Sequence, residues 1–225
     1  MITIDALTLR TDDRTLVDGV TMHLAEGALH LLAGPAGAGK TALLEALAGL
    51  RRPASGSATR FGRPLCPREV VYVPHDPRLY AGLTGRDLAE LALRYRPGGS
   101  EADAAALLGA FDLPLDTPVE GWSPARRRQL ALVAALLRSP AVVLLDEPVE
   151  GFDAAARRTA RRLLLAERPR GTTLIVATRR PLTLADMADE LHVLAGGTLC
   201  RQYRGDELVA ALCAAQGFGN SGKSS

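Results

Sequence analysis

The chain has 225 residues, 47% hydrophobic and only 4% aromatic, with a formal net charge of +2. That length suits one large α/β domain with room for an inserted subdomain. The small charge argues against a broad nucleic-acid surface, and no apolar run approaches the roughly 18 residues of a membrane helix.

Cys66, Cys200 and Cys213 match no metal-ligand spacing, and their odd number argues against a disulfide framework, so a reduced cytosol fits. The N-terminus lacks a basic segment followed by an apolar signal core. The reading is a soluble globular protein, and any role at a membrane requires a partner. The arginine pairs at 51–52, 157–158, 161–162 and 179–180 are spread along the chain and read as solvated faces.

In chain order, residues 1–9 alternate apolar Ile2, Ile4 and Ala6 with polar Thr3 and Asp5, a half-exposed strand. Asp12-Asp13 is a turn, and residues 17–24 read as a second strand. The apolar run 28–33 is a third. It leads into Gly34-Pro35-Ala36-Gly37-Ala38-Gly39-Lys40-Thr41, and residues 42–50 leave with helical periodicity. Strand, glycine loop and helix in this order fit the phosphate-binding pattern G-x-x-x-x-G-K-[ST]. Its glycines let backbone NH groups converge on phosphate oxygens at a helix N-terminus. On this reading Lys40 reaches the β and γ phosphates and Thr41 offers its hydroxyl to Mg²⁺.

Residues 217–224 satisfy the same pattern, but no strand precedes them and only Ser225 follows. They read as part of a flexible Gly/Ser tail. The 27 basic residues include just two lysines, Lys40 and Lys223. A chain that otherwise uses arginine keeps lysine in the loop, where a compact ammonium suits phosphate.

Residues 52–57 read as a linker, and 70–73 as a short buried strand ended by Pro74. The pattern then turns helical over about 83–137. Thr84 caps a helix over 85–95, Pro97-Gly98-Gly99 breaks it, and Ser100 with Asp103 resembles a capping box for the next. Ser123-Pro124 starts a third helix, with serine at the N-cap and proline at the first helical position. The core resumes with the strand 141–145, a helix over 154–167 and the strand 173–177, an alternation that predicts a mostly parallel sheet. Strands over 191–194 and 198–203 flank Gly196-Gly197, and a helix over 206–215 closes the chain.

The strand 141–145 ends on Asp146 and Glu147, at the end of a parallel sheet where ligands bind. Asp146 is placed to hold Mg²⁺ directly or through water, and Glu147 to polarise an attacking water as general base.

With both motifs in place, the order of elements resembles the nucleotide-binding subunit of ATP-binding cassette (ABC) transporters, from residue 2 to about 212. Asp18-Gly19-Val20 precedes the loop as in that family, and Leu83-Thr84-Gly85-Arg86-Asp87-Leu88 looks like the opening of its helical subdomain. Asp146-Glu147-Pro148 looks like its extended acidic motif. Gly151-Phe152-Asp153 resembles its D-loop, and Gly196-Gly197-Thr198-Leu199 its last hairpin.

The resemblance implies a P-loop NTPase fold of ABC type over residues 1–215. That fold has a mostly parallel sheet, an N-terminal antiparallel β subdomain and an inserted helical subdomain at about 83–137, and residues 216–225 follow as a tail. It implies an ATPase that uses ATP and Mg²⁺ and is coupled to a transmembrane permease. It places the protein in the cytoplasm, peripheral on the inner face of the membrane. Two cassettes meet head to tail in the family, so each ATP lies between one chain's loop and a serine-glycine-glycine signature of the other.

Four positions depart from the family pattern. The signature position reads Trp122-Ser123-Pro124-Ala125-Arg126: the serine stays, but proline lacks an NH and alanine adds a Cβ where backbone must approach phosphate. His75 stands where the family has a glutamine that senses Mg²⁺ and the membrane partner, and it changes charge with pH. Arg179 stands where the family has a histidine at the γ-phosphate, and an arginine cannot shuttle a proton. The aromatic that stacks on adenine aligns with Thr11, leaving Arg10 or Arg14 to substitute by a cation-π contact. The expectation is a degenerate cassette paired as a heterodimer with a more complete one. The alternative is a regulatory module that holds nucleotide without turnover.

Overall fold

The computed structural model describes residues 1–80, 82–95, 101–208 and 210–211. The predicted break at 97–99, the cap at Ser100, residues 209 and 212–215 of the closing helix, Cys213 and the tail with its second glycine motif lie outside the described residues, while 205–208 and 210–211 are helical.

Among the described residues the strands form two sheets. One is antiparallel and contains β1 (Ile2–Arg10), β2 (Thr15–Leu24), β4 (Ser55–Arg60) and β5 (Arg63–Pro64), in the order β2-β1-β4-β5. The second contains β3 (Leu29–Ala33), β6 (Val70–Val73), β7 (Val142–Asp146), β8 (Thr173–Thr178), β9 (Glu190–Ala195) and β10 (Thr198–Arg204), ordered β10-β9-β3-β8-β7-β6. All its neighbours are parallel except the β9–β10 hairpin. The helices are α1 (Lys40–Leu47), α2 (Gly85–Leu93), α3 (Glu101–Leu108), α4 (Pro124–Leu137) and α5 (Ala154–Glu167). None is long and apolar enough to cross a membrane.

The central strands are buried along their length because both faces are covered, which is why they appear in the sequence as unbroken apolar runs. Leu31, Val143, Leu145 and Val176 point to one face and join the core with α4 and α5. Leu32, Leu144, Ile175 and Ala177 point to the other, where they meet α1 and the antiparallel sheet. A satellite core of Leu88, Leu113, Val119, Trp122 and Leu130 lies among the helices between β6 and β7. Its anchor is Trp122, whose Nε1 donates to Thr117 Oγ1 at 2.9 Å. At the start of α2, Thr84 and Asp87 form a reciprocal capping box, the arrangement that satisfies two orphan NH groups at once.

Two expectations about the first sheet are corrected. Residues 52–57 are not wholly linker, since β4 begins at Ser55 and pairs with β1. The run Ser55-Gly56-Ser57 hides a strand because its side chains are exposed and Gly56, at φ +78°, faces a bulge of β1. A Cβ on Gly56 would lie 2.3 Å from the Ala6 carbonyl oxygen. The bulge also ends the alternation read for residues 1–9: Ala6, at φ 44°, is exposed, and Leu7 turns into the core instead.

Candidate nucleotide site

β3 ends at Ala33, the chain turns through residues 34–39, and α1 begins at Lys40. The turn brings its own backbone close to both sheets. A Cβ on Gly34 would lie 2.1 Å from the carbonyl oxygen of Leu194 in β9, whereas one on Gly37, at φ +77°, would meet nothing within 4 Å. Gly34→Ala is therefore expected to destabilise the fold by roughly 3 kcal/mol or more, because only backbone can yield there. Gly37→Ala should cost about 1–2 kcal/mol, the ordinary penalty of a left-handed alanine. Denaturant midpoints of the two variants check this ordering, and equal midpoints would contradict the packing.

Lys40 is 6% exposed, and its Nζ donates to the carbonyl oxygens of Gly34 at 2.8 Å and Pro35 at 2.9 Å. Burial lowers its pKa, while the charges of Glu147 and Asp146 oppose that shift. Thr41 Oγ1 donates to Asp146 Oδ2 at 2.6 Å. Burial raises the Asp146 carboxyl above the ordinary range, partly countered by the Thr41 hydrogen bond. A hydroxyl and a carboxylate side by side at a helix N-terminus form an all-oxygen donor pair that fits Mg²⁺. The loop NH groups and the Lys40 ammonium fit its phosphate partner.

Glu147 follows β7 with a left-handed backbone, φ 49°, a conformation strained for a non-glycine residue and concentrated at functional sites. Its carboxylate is held from β8. The Arg179 backbone NH donates to Glu147 Oε1 at 2.7 Å and Arg179 Nε at 3.1 Å, while Thr178 Oγ1 donates to Oε2 at 3.2 Å. The same guanidinium reaches Glu150 Oε1 through Nη2 at 2.8 Å. Its hydrogen bond to Glu147 is the main reason its pKa is raised.

Glu150 also binds His75 Nε2 through its other oxygen. Arg128 Nε donates to the His75 carbonyl oxygen at 2.7 Å, and its Nη1 to the Glu150 carbonyl oxygen at 3.0 Å. Burial works to raise the Glu150 carboxyl, but His75, Arg179 and Arg128 outweigh it and hold the carboxyl below the usual range.

The cleft over the loop is lined by residues 36–42 with Arg14, Leu16, Glu45, Arg51, His75, Asp146, Glu147 and Arg179. The structure thus brings Ala36, Gly37, Ala38, Gly39, Lys40, Thr41, His75, Asp146 and Arg179 together, with Gly34 and Pro35 beneath them through Lys40. Of the two arginines considered for adenine, Arg14 lines the cleft and Arg10 does not. Ser123 and Asp153 lie elsewhere, sharing a separate cleft with Arg126 and Gln129. Each caps a helix there: Ser123 Oγ accepts from Arg126 NH at 3.3 Å and Asp153 Oδ1 from Ala156 NH at 2.7 Å. Sequence reasoning missed Glu150 and Arg128. The repeated carboxylate in Glu147-Pro148-Val149-Glu150 was the available signal for the first.

A glycine loop between a buried strand and a helix, facing the paired acids at the end of β7 in the same parallel sheet, defines a P-loop nucleotide-binding domain. The family profile described as ABC transporter matches residues 17–150. The cytochrome c biogenesis ATP-binding export protein CcmA of Gluconobacter oxydans (strain 621H) is 35% identical over 187 residues, covering 82% of this chain and 83% of that protein. The daunorubicin resistance ATP-binding protein DrrA3 of Streptomyces coeruleorubidus is 33% identical over 226 residues, covering 93% of this chain and 70% of that protein. The fold matches a solved ATP-binding subunit of an ABC transporter with a TM-score of 0.83 at 24% identity, over 100% of this chain and 95% of that one. It also matches an ATP-binding cassette dimer in a post-hydrolysis state with ADP and Pi, with a TM-score of 0.80 at 20% identity, over 91% and 98%. The chain belongs to the ABC transporter ATP-binding family, and it is an ABC-type ATPase subunit.

Proposed function

We propose that this subunit binds MgATP on residues 34–41 and drives a separate transmembrane permease as the low-turnover half of an asymmetric cassette pair. Lys40 holds the β and γ phosphates, Thr41 and Asp146 hold Mg²⁺, and Glu147 is the general base. Bound Mg²⁺ supplies charge neutralisation at the transferred phosphoryl group. Ser123 and Asp153 lie away from this chain's own loop, as they must if they serve the nucleotide of a partner cassette. The placement on the inner face of the membrane belongs to the same proposal. An outward direction of transport is supported by the names of the relatives, an export protein and a resistance protein.

The observation that carries this reading is the clamp on Glu147. Its Oε1 accepts two hydrogen bonds from Arg179, and a guanidinium never releases its proton. An oxygen whose two lone pairs already accept hydrogen bonds has none left to take up an attacking water. The signature position, Ser123-Pro124-Ala125, compounds the deficit: Pro124 has no NH to give a γ-phosphate. Two copies of this chain would therefore pair two weakened sites, whereas a partner with intact motifs supplies the missing donors.

ATP hydrolysis by the chain alone, and mixed with a cassette carrying a serine-glycine-glycine signature, tests the proposal. The mixed pair is expected to exceed the chain alone by about 100-fold, the usual effect of one missing transition-state donor. Fast turnover by the chain alone, abolished by Glu147→Gln, would sink the asymmetric reading. Tight MgATP binding with no phosphate release in any pairing would instead establish a regulatory module.

A further inference from the structure

Away from the nucleotide cleft, β3 and β9 carry a second group of polar side chains in the core between the two sheets. Parallel pairing sets His30 opposite Glu190 and Leu32 opposite His192, and alternation puts His30, Glu190 and His192 on one face. His30 and His192 have no exposed surface, and Glu190 is 8% exposed. His30 Nδ1 lies 3.3 Å from His192 Nε2 and 3.5 Å from Glu190 Oε2, and His192 Nε2 lies 3.4 Å from the same oxygen.

Hydrogen bonding does not account for this triangle. The Ala25 carbonyl oxygen, 3.0 Å from His30 Nε2, can only accept, so the His30 proton sits on Nε2. His30 Nδ1 is then a bare lone pair facing a carboxylate oxygen. Glu190 Oε2 is buried with no hydrogen-bond partner, as is His192 Nδ1. One proton on His192 Nε2 cannot serve both His30 Nδ1 and Glu190 Oε2.

A divalent cation resolves the same geometry. Tetrahedral Zn²⁺ with bonds of about 2.0–2.2 Å to imidazole nitrogen and carboxylate oxygen has ligand–ligand edges of about 3.3–3.5 Å, which are the three distances seen. The three ligand atoms form a compact donor group of two nitrogens and one oxygen. The outer contacts of two of the ligands fit as well: His30 Nε2 meets a backbone carbonyl, and Arg204 Nε holds the second carboxylate oxygen of Glu190 at 3.0 Å, while His192 Nδ1 has no partner. Two imidazoles favour a zinc-like ion over Mg²⁺ or Ca²⁺, which prefer oxygen.

We infer that His30, Glu190 and His192 form a binding site for a divalent transition-metal ion of the Zn²⁺ class, joining β3 to β9 beneath the antiparallel sheet.

The test uses the untagged full chain, nucleotide-free and refolded from denaturant with Co²⁺ as the spectroscopic probe, so that a buried site can fill. Expected are one-to-one Co²⁺ uptake, tetrahedral d–d bands without thiolate charge-transfer bands, and competition by Zn²⁺. Glu190→Gln and His192→Asn should weaken Co²⁺ binding by at least ~100-fold. Zn²⁺ at a hundredfold excess over its dissociation constant should raise the melting temperature of the unaltered chain by about 5–10 °C. Thiolate bands would assign the metal to a cysteine, Cys66, Cys200 or Cys213, and overturn the site, as would no uptake or uptake unchanged in folded Glu190→Gln. Should either variant fail to fold, the Co²⁺ spectrum and Zn²⁺-dependent melting of the unaltered chain decide.

Discussion

With Arg179 replaced by histidine, ATP turnover in a mixed cassette pair is expected to rise about 10- to 100-fold, part of the 10²–10⁴-fold that a positioned general base contributes. MgATP affinity should stay within about threefold, because the clamp acts on the base and not on the loop. The effect runs through one atom. Glu147 Oε1 accepts from Arg179 at both the backbone NH and Nε, and the substitution removes the charged donor while the backbone NH remains. It also releases Glu150, which the same guanidinium holds at 2.8 Å. Single-turnover hydrolysis separates the chemical step from product release. An unchanged rate there would mean that the clamp opens before chemistry.

Lys40→Ala is expected to weaken MgATP binding by about 10²–10⁴-fold, since hydrogen bonds from a charged donor are worth about 1.5–3 kcal/mol each and two phosphate contacts are lost. The ammonium is already aimed: it is nearly buried and folds back onto the carbonyl oxygens of Gly34 and Pro35. Lys40→Arg should rescue little, because a planar guanidinium does not fit a space shaped for a point charge. Calorimetric titration with MgATP measures both variants. Affinity within tenfold of the unaltered chain for Lys40→Ala would place the nucleotide elsewhere.

The parallel sheet was legible because burial on both faces writes each central strand as a continuous apolar run. The loop was legible because both its pattern and its context are local: a strand before it and a helix after it separate residues 34–41 from the second match at 217–224. The β4 strand was not, since an exposed edge of Ser, Gly, Ala and Thr carries no hydrophobic period. The bulge at Ala6 was equally hidden, because one inserted residue flips the face of every side chain beyond it.

The same division runs through the site. The clamp joins residues 32 apart, and only the pairing of β7 with β8 brings them into contact. The missing NH of Pro124 in Ser123-Pro124-Ala125 is a matter of residue type and is read directly from the sequence. The triangle of His30, Glu190 and His192 spans 162 residues and depends on the register of β3 against β9. In the sequence His30 stands alone in an apolar run, and nothing links it to the Glu190-Leu191-His192 segment far down the chain.

α4 belongs to two cores at once: Leu130 closes the satellite cluster around Trp122, while Leu132, Val133 and Leu136 are packed with the central sheet. Five buried side chains are too few to sustain an independent folding unit. α2 and α3 also bury Ala89, Ala92, Ala104 and Leu107 in the core of the central sheet, so the helices between β6 and β7 are expected to be lost together with it. In thermodynamic language the two cores form one cooperative unit with no separately melting lobe. Ser123, at the head of that helix, is fixed by the folding of the central sheet.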